Sequence, residues 1–405
     1  MKNFSTIKES LVSMAPVIVS AVALFSSACD RTDLPEASLS QTSGVTVPVS
    51  GLSVESVARM LSELPLTIAQ TREVYDGVSA SSANGYDEEY PFSVLVSNPG
   101  FGVGDELLRT RSQAEYPEPL RDLLSSSGLS LTRSGSFLEA LSDSGLQIYW
   151  PYSENWDGET LPTITFDPAE AATVPVSRYR DGENVGYLRE QLPEGIWIVK
   201  EVVVDEEYAS VHPVWVINRN EDAGYLTPQM LKALCPERSA PVSTRSYDGI
   251  KTLVLKEFKA HRNYDSWFAG ASEFFVKCGS LEGFAAKTED ELKLFSPSVT
   301  DMMINVKRKQ VGKYVRLNTV LVSEWTPQLD ECVFLMVEDD GGKQTSWKAS
   351  GAVKIKSKSY GFEVELPFRR NDDLVWRGKL SQNYFEKNNG SPNRFGDVSI
   401  TFSFL

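Results

Sequence analysis

Histidine is nearly absent from this 405-residue chain, with two in all, and cysteine is scarce, with four. A dense His/Cys metal cluster is therefore unavailable, since such sites draw their N and S ligands from those residues alone. Excess positive charge is missing as well: 40 basic against 55 acidic side chains leave a formal charge of −15. That balance disfavours nucleic acid as a partner, because a phosphate backbone selects basic surfaces. There is no H-E-x-x-H, no G-x-S-x-G and no repeat of solenoid period, and the one S-x-x-K, Ser5 to Lys8, lies at the extreme N-terminus. Beyond residue 28 no run of about 18 apolar residues occurs, so no spanning helix is predicted there. What remains is ordinary globular material, 41% hydrophobic and 23% charged. Its length suits two or three domains of about 100–200 residues each.

The N-terminus has a different texture. Lys2 and Lys8 precede an apolar run at 11–25, which falls short of a membrane span of about 20 residues, and Ser26, Ser27 and Ala28 lead to Cys29. This order resembles the envelope lipoproteins of Gram-negative bacteria. The resemblance covers residues 1–29 and implies removal of 1–28, lipid on Cys29, and attachment to a membrane through that lipid, with the outer membrane as the expected location. It departs from the family where Ser26 stands in the place usually held by leucine; the nearest leucine is Leu24. A second reading stays open, in which Ser26 and Ala28 form a small-x-small site for ordinary signal peptidase and the product is soluble, periplasmic or secreted. Residues 29–50, polar and rich in Ser, Thr and Pro after the cysteine, read as a flexible tether. With Cys29 consumed, Cys235, Cys278 and Cys332 allow at most one intramolecular disulfide, or serve as three buried thiols.

Two folded regions follow, an α+β region at 51–235 and an all-β antiparallel sandwich at 247–405, joined by a Pro/Ser-rich linker at 236–246. Val54, Val57, Ala58, Leu61 and Leu64 recur at helical spacing behind Ser53, and further helices are expected at 65–78, 105–113, 117–126, 136–143 and 228–234. Short β-rich runs at 91–97, 146–150, 163–166, 196–204 and 213–219 interleave with them irregularly, which excludes a regular βαβ winding. After 246 the period is two. Phe362, Val364 and Leu366 alternate with Glu363 and Glu365, and Val398, Ile400, Phe402 and Phe404 alternate with small polar residues, predicting one buried and one wet face for each strand. About eight such strands suit an antiparallel sandwich.

The segment 149–158 is the densest candidate for recognition. Tyr149, Trp150, Tyr152 and Trp156 stand beside Glu154 and Asp157, and rings with neighbouring acids are what a sugar requires: a face for its C–H groups and acceptors for its hydroxyls. The competing expectation is a loop folded down on its own rings. In the sandwich, Asp265 and Glu273 bracket a Gly-containing turn, Glu338-Asp339-Asp340-Gly341-Gly342 sits between two strands, and Asp372 and Asp373 form a third pair. Acidic loops between strands supply the oxygen ligands that calcium takes. In kind, this resembles the calcium-binding C2-like sandwiches, which implies Asp265, Glu273, Asp339 and Asp340 as ligands; solvated turn acids are the alternative. Asp87, Glu88 and Glu89 read as a solvated loop, and Gly100, Gly102 and Gly104 as a turn rather than a phosphate cradle. His212 and His261 read as packed residues.

The resulting expectation is an exported, lipid-anchored envelope protein that binds, adheres or scaffolds, with a glycan or an envelope protein as partner and no certain cofactor other than a candidate calcium ion. Its rivals are a secreted glycan-acting hydrolase and a calcium-dependent binding module. Charge divides along the same boundary as fold: residues 29–245 hold 15 basic and 33 acidic side chains, residues 246–405 hold 23 and 21. The basic run Lys307-Arg308-Lys309 and the lysines Lys354, Lys356 and Lys358 are placed on wet faces, where they suit an acidic surface.

Overall fold

A computed structural model describes residues 52–97, 119–126, 137–171, 180–220, 225–234 and 249–405. The signal, tether and linker, with Cys29 and Cys235, the expected helix at 105–113 and the glycines at 100–104, lie outside the described residues. The chain forms an α+β region followed by an antiparallel β-sandwich.

Helix α1 (Val54–Glu63) starts where Ser53 Oγ accepts from Ser56 N at 3.1 Å while Ser56 Oγ accepts from Ser53 N at 2.9 Å. This reciprocal cap satisfies two amides that have no partner inside the helix. Thr67 and Gln70 repeat the arrangement at α2 (Ile68–Ala83). Gly77 lets α2 close onto the sheet, since a Cβ there would lie 2.8 Å from the Tyr90 ring. The sheet contains β1 (Glu89–Pro91), β2 (Leu146–Tyr149), β3 (Thr163–Phe166), β4 (Asn184–Gln191), β5 (Trp197–Val204) and β6 (Val214–Arg219), in the order β1-β2-β6-β3-β4-β5. Strands β3 and β6 run parallel and the other neighbours antiparallel. Helix α1 lies across β3, β6 and β4, enclosing Trp150, Phe166, Trp215 and Ile217. The apolar run expected as a strand at 91–97 is instead a short helix, α3 (Phe92–Val96). Its buried Phe92, Leu95 and Val96 fit a three-to-four spacing as well as a strand, an ambiguity inherent in short apolar runs. Helices α4 (Leu120–Ser126), α5 (Phe137–Ser142) and α6 (Glu206–Val211) complete the region. Helix α7 (Pro228–Leu234) lies against the sandwich, where Lys232 Nζ donates to Leu317 O.

One sheet of the sandwich holds β7 (Lys251–Ala260), β10 (Val315–Trp325), β15 (Pro392–Phe395) and β16 (Val398–Phe404), ordered β10-β7-β16-β15. The other holds β8 (Ser272–Ser280), β9 (Ser298–Val306), β11 (Leu329–Glu338), β12 (Gln344–Ile355) and β13 (Lys358–Arg369), ordered β13-β12-β11-β8-β9, with β14 (Asp373–Ser381) also paired to β11. Phe258, Phe274, Phe334, Phe402 and Trp325 fill the space between the sheets. Glu363 and Glu365 are exposed opposite buried Phe362, Val364 and Leu366, as the alternation requires. The second predicted wet face is not wet. Ser399, Thr401 and Ser403 are buried like their apolar neighbours, because β16 lies between β7 and β15 and its hydroxyls find partners such as His261 Nε2 (2.8 Å from Ser399 Oγ) and Glu257.

The β12–β13 hairpin pairs without interruption from Gln344–Arg369 to Ile355–Lys358. It covers the outer face of β8, with Val364 over Gly279, where a Cβ would meet it at 2.8 Å. A second apolar layer results, built from Phe275, Met303, Val333, Leu335 and Leu366. Cys278 and Cys332 are free thiols in the main core.

Candidate functional site

The aromatic residues at 149–158 are used in packing. Trp150 is buried, with Tyr75, Trp156 and Trp215 around it at centroid distances of 5.4–6.0 Å. Arg72 covers the Trp156 ring at 5.0 Å, and Trp156 Nε1 donates to Thr160 O at 2.9 Å. Asp157 holds the same loop, accepting from the amides of Glu159 and Thr160. Tyr149 is buried, and Tyr152, in a left-handed conformation with φ 57°, donates to Glu206 at 2.7 Å. Glu154 forms an ion pair with Lys309 at 2.6 Å. The six residues therefore share one neighbourhood, but their rings and carboxylates already face protein groups.

That neighbourhood is the joint between the two regions. The expected solvated loop at 87–89 is buried, with Asp87, Glu88 and Glu89 at 4%, 7% and 4% exposure. The expected wet basic run supplies the reason: Lys309 Nζ lies 2.9 Å from Glu88, Lys307 Nζ 3.8 Å from it, and Arg308 grips Glu206 through two nitrogens at 2.6 and 3.2 Å. The acidic surface met by Lys307-Arg308-Lys309 is thus this chain's own. Burial pushes the Asp87 and Glu88 carboxyls up, and Lys307 beside them pulls in the opposite direction.

Residues 261–271, between β7 and β8, fasten the joint. Trp267 and Phe268 insert against Tyr149, Val204, Val214 and Val216 of the sheet. Trp267 Nε1 donates to Gly182 O at 2.8 Å, and Asn218 Nδ2 donates to Phe268 O and Ala269 O at 3.0 and 2.8 Å. Ala271 N donates to Asp87 Oδ2 at 2.8 Å, and Gly270, at φ 128°, leaves that carboxylate the space a Cβ would take.

The same loop delivers Asp265 to a carboxylate cluster. Oxygens of Asp265, Glu273 and Glu338 all lie within 4.8 Å of one another. Glu338 is fully buried, no N–H or hydroxyl donor reaches its oxygens, and it is hydrogen-bonded to the Asp265 carboxyl, a bond that requires one of the two to hold a proton. A carboxylate so placed must take up a proton or meet a cation, because desolvated negative charge costs several kcal/mol. Burial first, and then the Asp265 carboxyl beside it, hold Glu338 far above the ordinary carboxylate range. Burial raises Asp265 as well, against the hydrogen bond from Glu338. Of the acids expected as ligands, Asp265 and Glu273 belong to this cluster. Asp339 is committed to Arg369 at 3.1 Å, and Asp340 is exposed.

No family model, no curated protein and no solved structure matches the chain. The chemistry of the cluster must be argued from its own atoms. Three carboxylates offer up to six hard oxygens and no nitrogen or sulfur, a donor set suited to calcium or magnesium and poorly suited to zinc or copper. Glu338, the first residue of the acidic run at 338–340, also has a signature in the strand period. Cys332, Phe334 and Met336 alternate into the inter-sheet core, and Glu338 is the next residue in that alternation. An acid at a core-facing position is far more informative than an acid in a turn.

The remaining candidates for chemistry are structural. His212 stacks on Tyr208 at 4.2 Å. His261 bonds to Ser399, but the neighbouring Asp397 carboxylate binds Arg262 at 2.9 Å. Among the described residues no helix is long and apolar enough to cross a membrane.

Proposed function

We propose that the protein is an exported binding protein of the cell envelope, anchored through lipid on Cys29, whose sandwich holds a divalent cation, most simply calcium, at Asp265, Glu273 and Glu338. The observation carrying the cation is the buried Glu338, reached by no N–H or hydroxyl donor, beside the Asp265 and Glu273 carboxyls. The anchoring rests on Lys2, Lys8, the apolar run at 11–25 and the small residues before Cys29. When bound, the cation would neutralise the cluster and replace the proton held there. Asp265 lies two residues from Trp267, which inserts into the α+β sheet, so cation binding would also stiffen the joint between the tethered region and the sandwich.

Calcium at a hundredfold excess over its Kd should stabilise the fold by about 2.7 kcal/mol. The expected rise in Tm is roughly 5 °C, and it should vanish in Glu338→Gln. No rise with calcium or magnesium, or an equal rise in the variant, rejects the cation. Metabolic lipid labelling of wild type and Cys29→Ala tests the anchor separately; equal labelling rejects it.

A further inference from the structure

A second site lies on the outer face of the sandwich, under the strand ends of the β12–β13 hairpin. It is a cavity of about 280 Å³. Tyr225, Phe275 and Phe368 supply its aromatic walls, and the Tyr225 ring meets Phe275 edge-on at 4.6 Å. Tyr225 is held in place from behind, because Tyr86 donates its hydroxyl to the Tyr225 carbonyl at 2.7 Å.

The polar lining consists of pre-formed ion pairs. Lys277, 5% exposed, pairs with Asp301 and lies over the Phe275 ring at 4.8 Å. Arg369 pairs with Asp339, itself 3% exposed, and lies over the Tyr225 ring at 5.3 Å. Asp301 and Asp372 each have one carboxylate oxygen without a hydrogen-bond partner, and both of those oxygens are buried rather than open to the cavity. The cavity thus combines aromatic side chains with cations and carboxylates already fixed in ion pairs. An anionic ligand would meet the three aspartates, and a cationic one would meet Lys277 and Arg369. A ring of neutral hydroxyls satisfies both sets, since each hydroxyl donates and accepts, while the C–H face packs on the aromatic walls.

We propose that this cavity binds one neutral sugar unit, a hexose or N-acetylhexosamine, of an envelope glycan. The site is separate from the residues at 149–158 and uses none of the three carboxylates assigned to the cation, so it does not depend on that assignment.

Saturation-transfer NMR and calorimetry on the purified soluble protein test it, with methyl glucoside, methyl galactoside and N-acetylglucosamine as probes and choline as a cationic control, each with and without a calcium chelator. A ligand of this size should bind with a Kd of about 1 mM. Tyr225→Ala should weaken binding by at least about tenfold, the loss of one stacking face. Because Tyr225 also covers Phe275, Gln344→Trp is the second variant: position 344 is exposed at the cavity mouth, so the larger side chain obstructs entry without disturbing the core. Sugar binding that survives chelation and is lost in both variants supports the site. No sugar binding to the wild type, binding of choline in preference to every sugar, or sugar binding unchanged in Gln344→Trp overturns it.

Discussion

Two groups of buried carboxylates, one in each region, show how differently a protein can accommodate the same charge. Asp87 and Glu88 in the α+β region are met by Lys307 and Lys309 from the sandwich, so their burial ties the two regions together. In the sandwich itself, Glu338 and Asp265 face each other as a carboxyl–carboxyl pair, and neither forms an ion pair among the described residues. The first group has its counter-charge within the chain, although one Asp87 oxygen is left without a hydrogen-bond partner; the second requires a proton or a cation from outside. A buried acid is therefore informative through what surrounds it: with an ammonium it is an element of architecture, and without one it is a candidate site.

The comparison can be broken most forcefully at Lys307. Lys307→Met leaves Glu88 and Asp87 buried with less counter-charge, and urea unfolding should show a loss of about 4 kcal/mol, the usual result of removing one partner of a buried pair. A loss under about 1 kcal/mol would mean that Lys309 alone neutralises the pair. A third buried acid, Glu73, extends the comparison within the α+β region. Its carboxyl is pushed up to about 7, mainly by burial, although it accepts a 2.7 Å bond from Leu120 N. Because the folded form keeps its proton where the unfolded form has released it, wild-type stability falls as pH rises from about 4.5 to about 7. Glu73→Gln removes that slope, and its advantage over wild type should grow by about 3 kcal/mol between pH 4 and pH 8, read from urea midpoints.

Smaller effects sharpen the contrast. Trp156→Ala should cost about 2 kcal/mol, because the ring packs on Trp150 and Tyr75, and sugar binding should be unchanged; lost binding would return the 149–158 segment to candidacy. With calcium chelated at about pH 8, Glu338→Gln should be stabilised by about 1 kcal/mol, since the amide keeps the shape and removes the acid that must hold a proton. Destabilisation there would show that the carboxyl makes a bond the amide cannot replace.

Much of the architecture was legible because it depends on period. The alternation at 362–366 and the cap at Ser53 are local signals, read by the same backbone geometry wherever the segment is placed. Segments governed by pairing were harder: β4 is polar at its end and owes its form to β5, and Phe92–Val96 fits either period. The acids divide in the same way. Asp265 and Glu273 stood out as acids near a turn and Glu338 as the head of an acidic run between strands, whereas the burial that brings the three together followed only from the strand register.

The sequence by itself determined composition, periodicity and the concentration of negative charge before residue 246. It determined the export-like N-terminus in the same sense, as an order of residue types. Only the tertiary structure decided where charges meet. A run of three basic residues looks solvated in isolation because nothing local opposes it; the acids that bury it are more than a hundred residues away in the chain. Electrostatic partnership is set by distance in space, and sequence specifies that distance only through the fold.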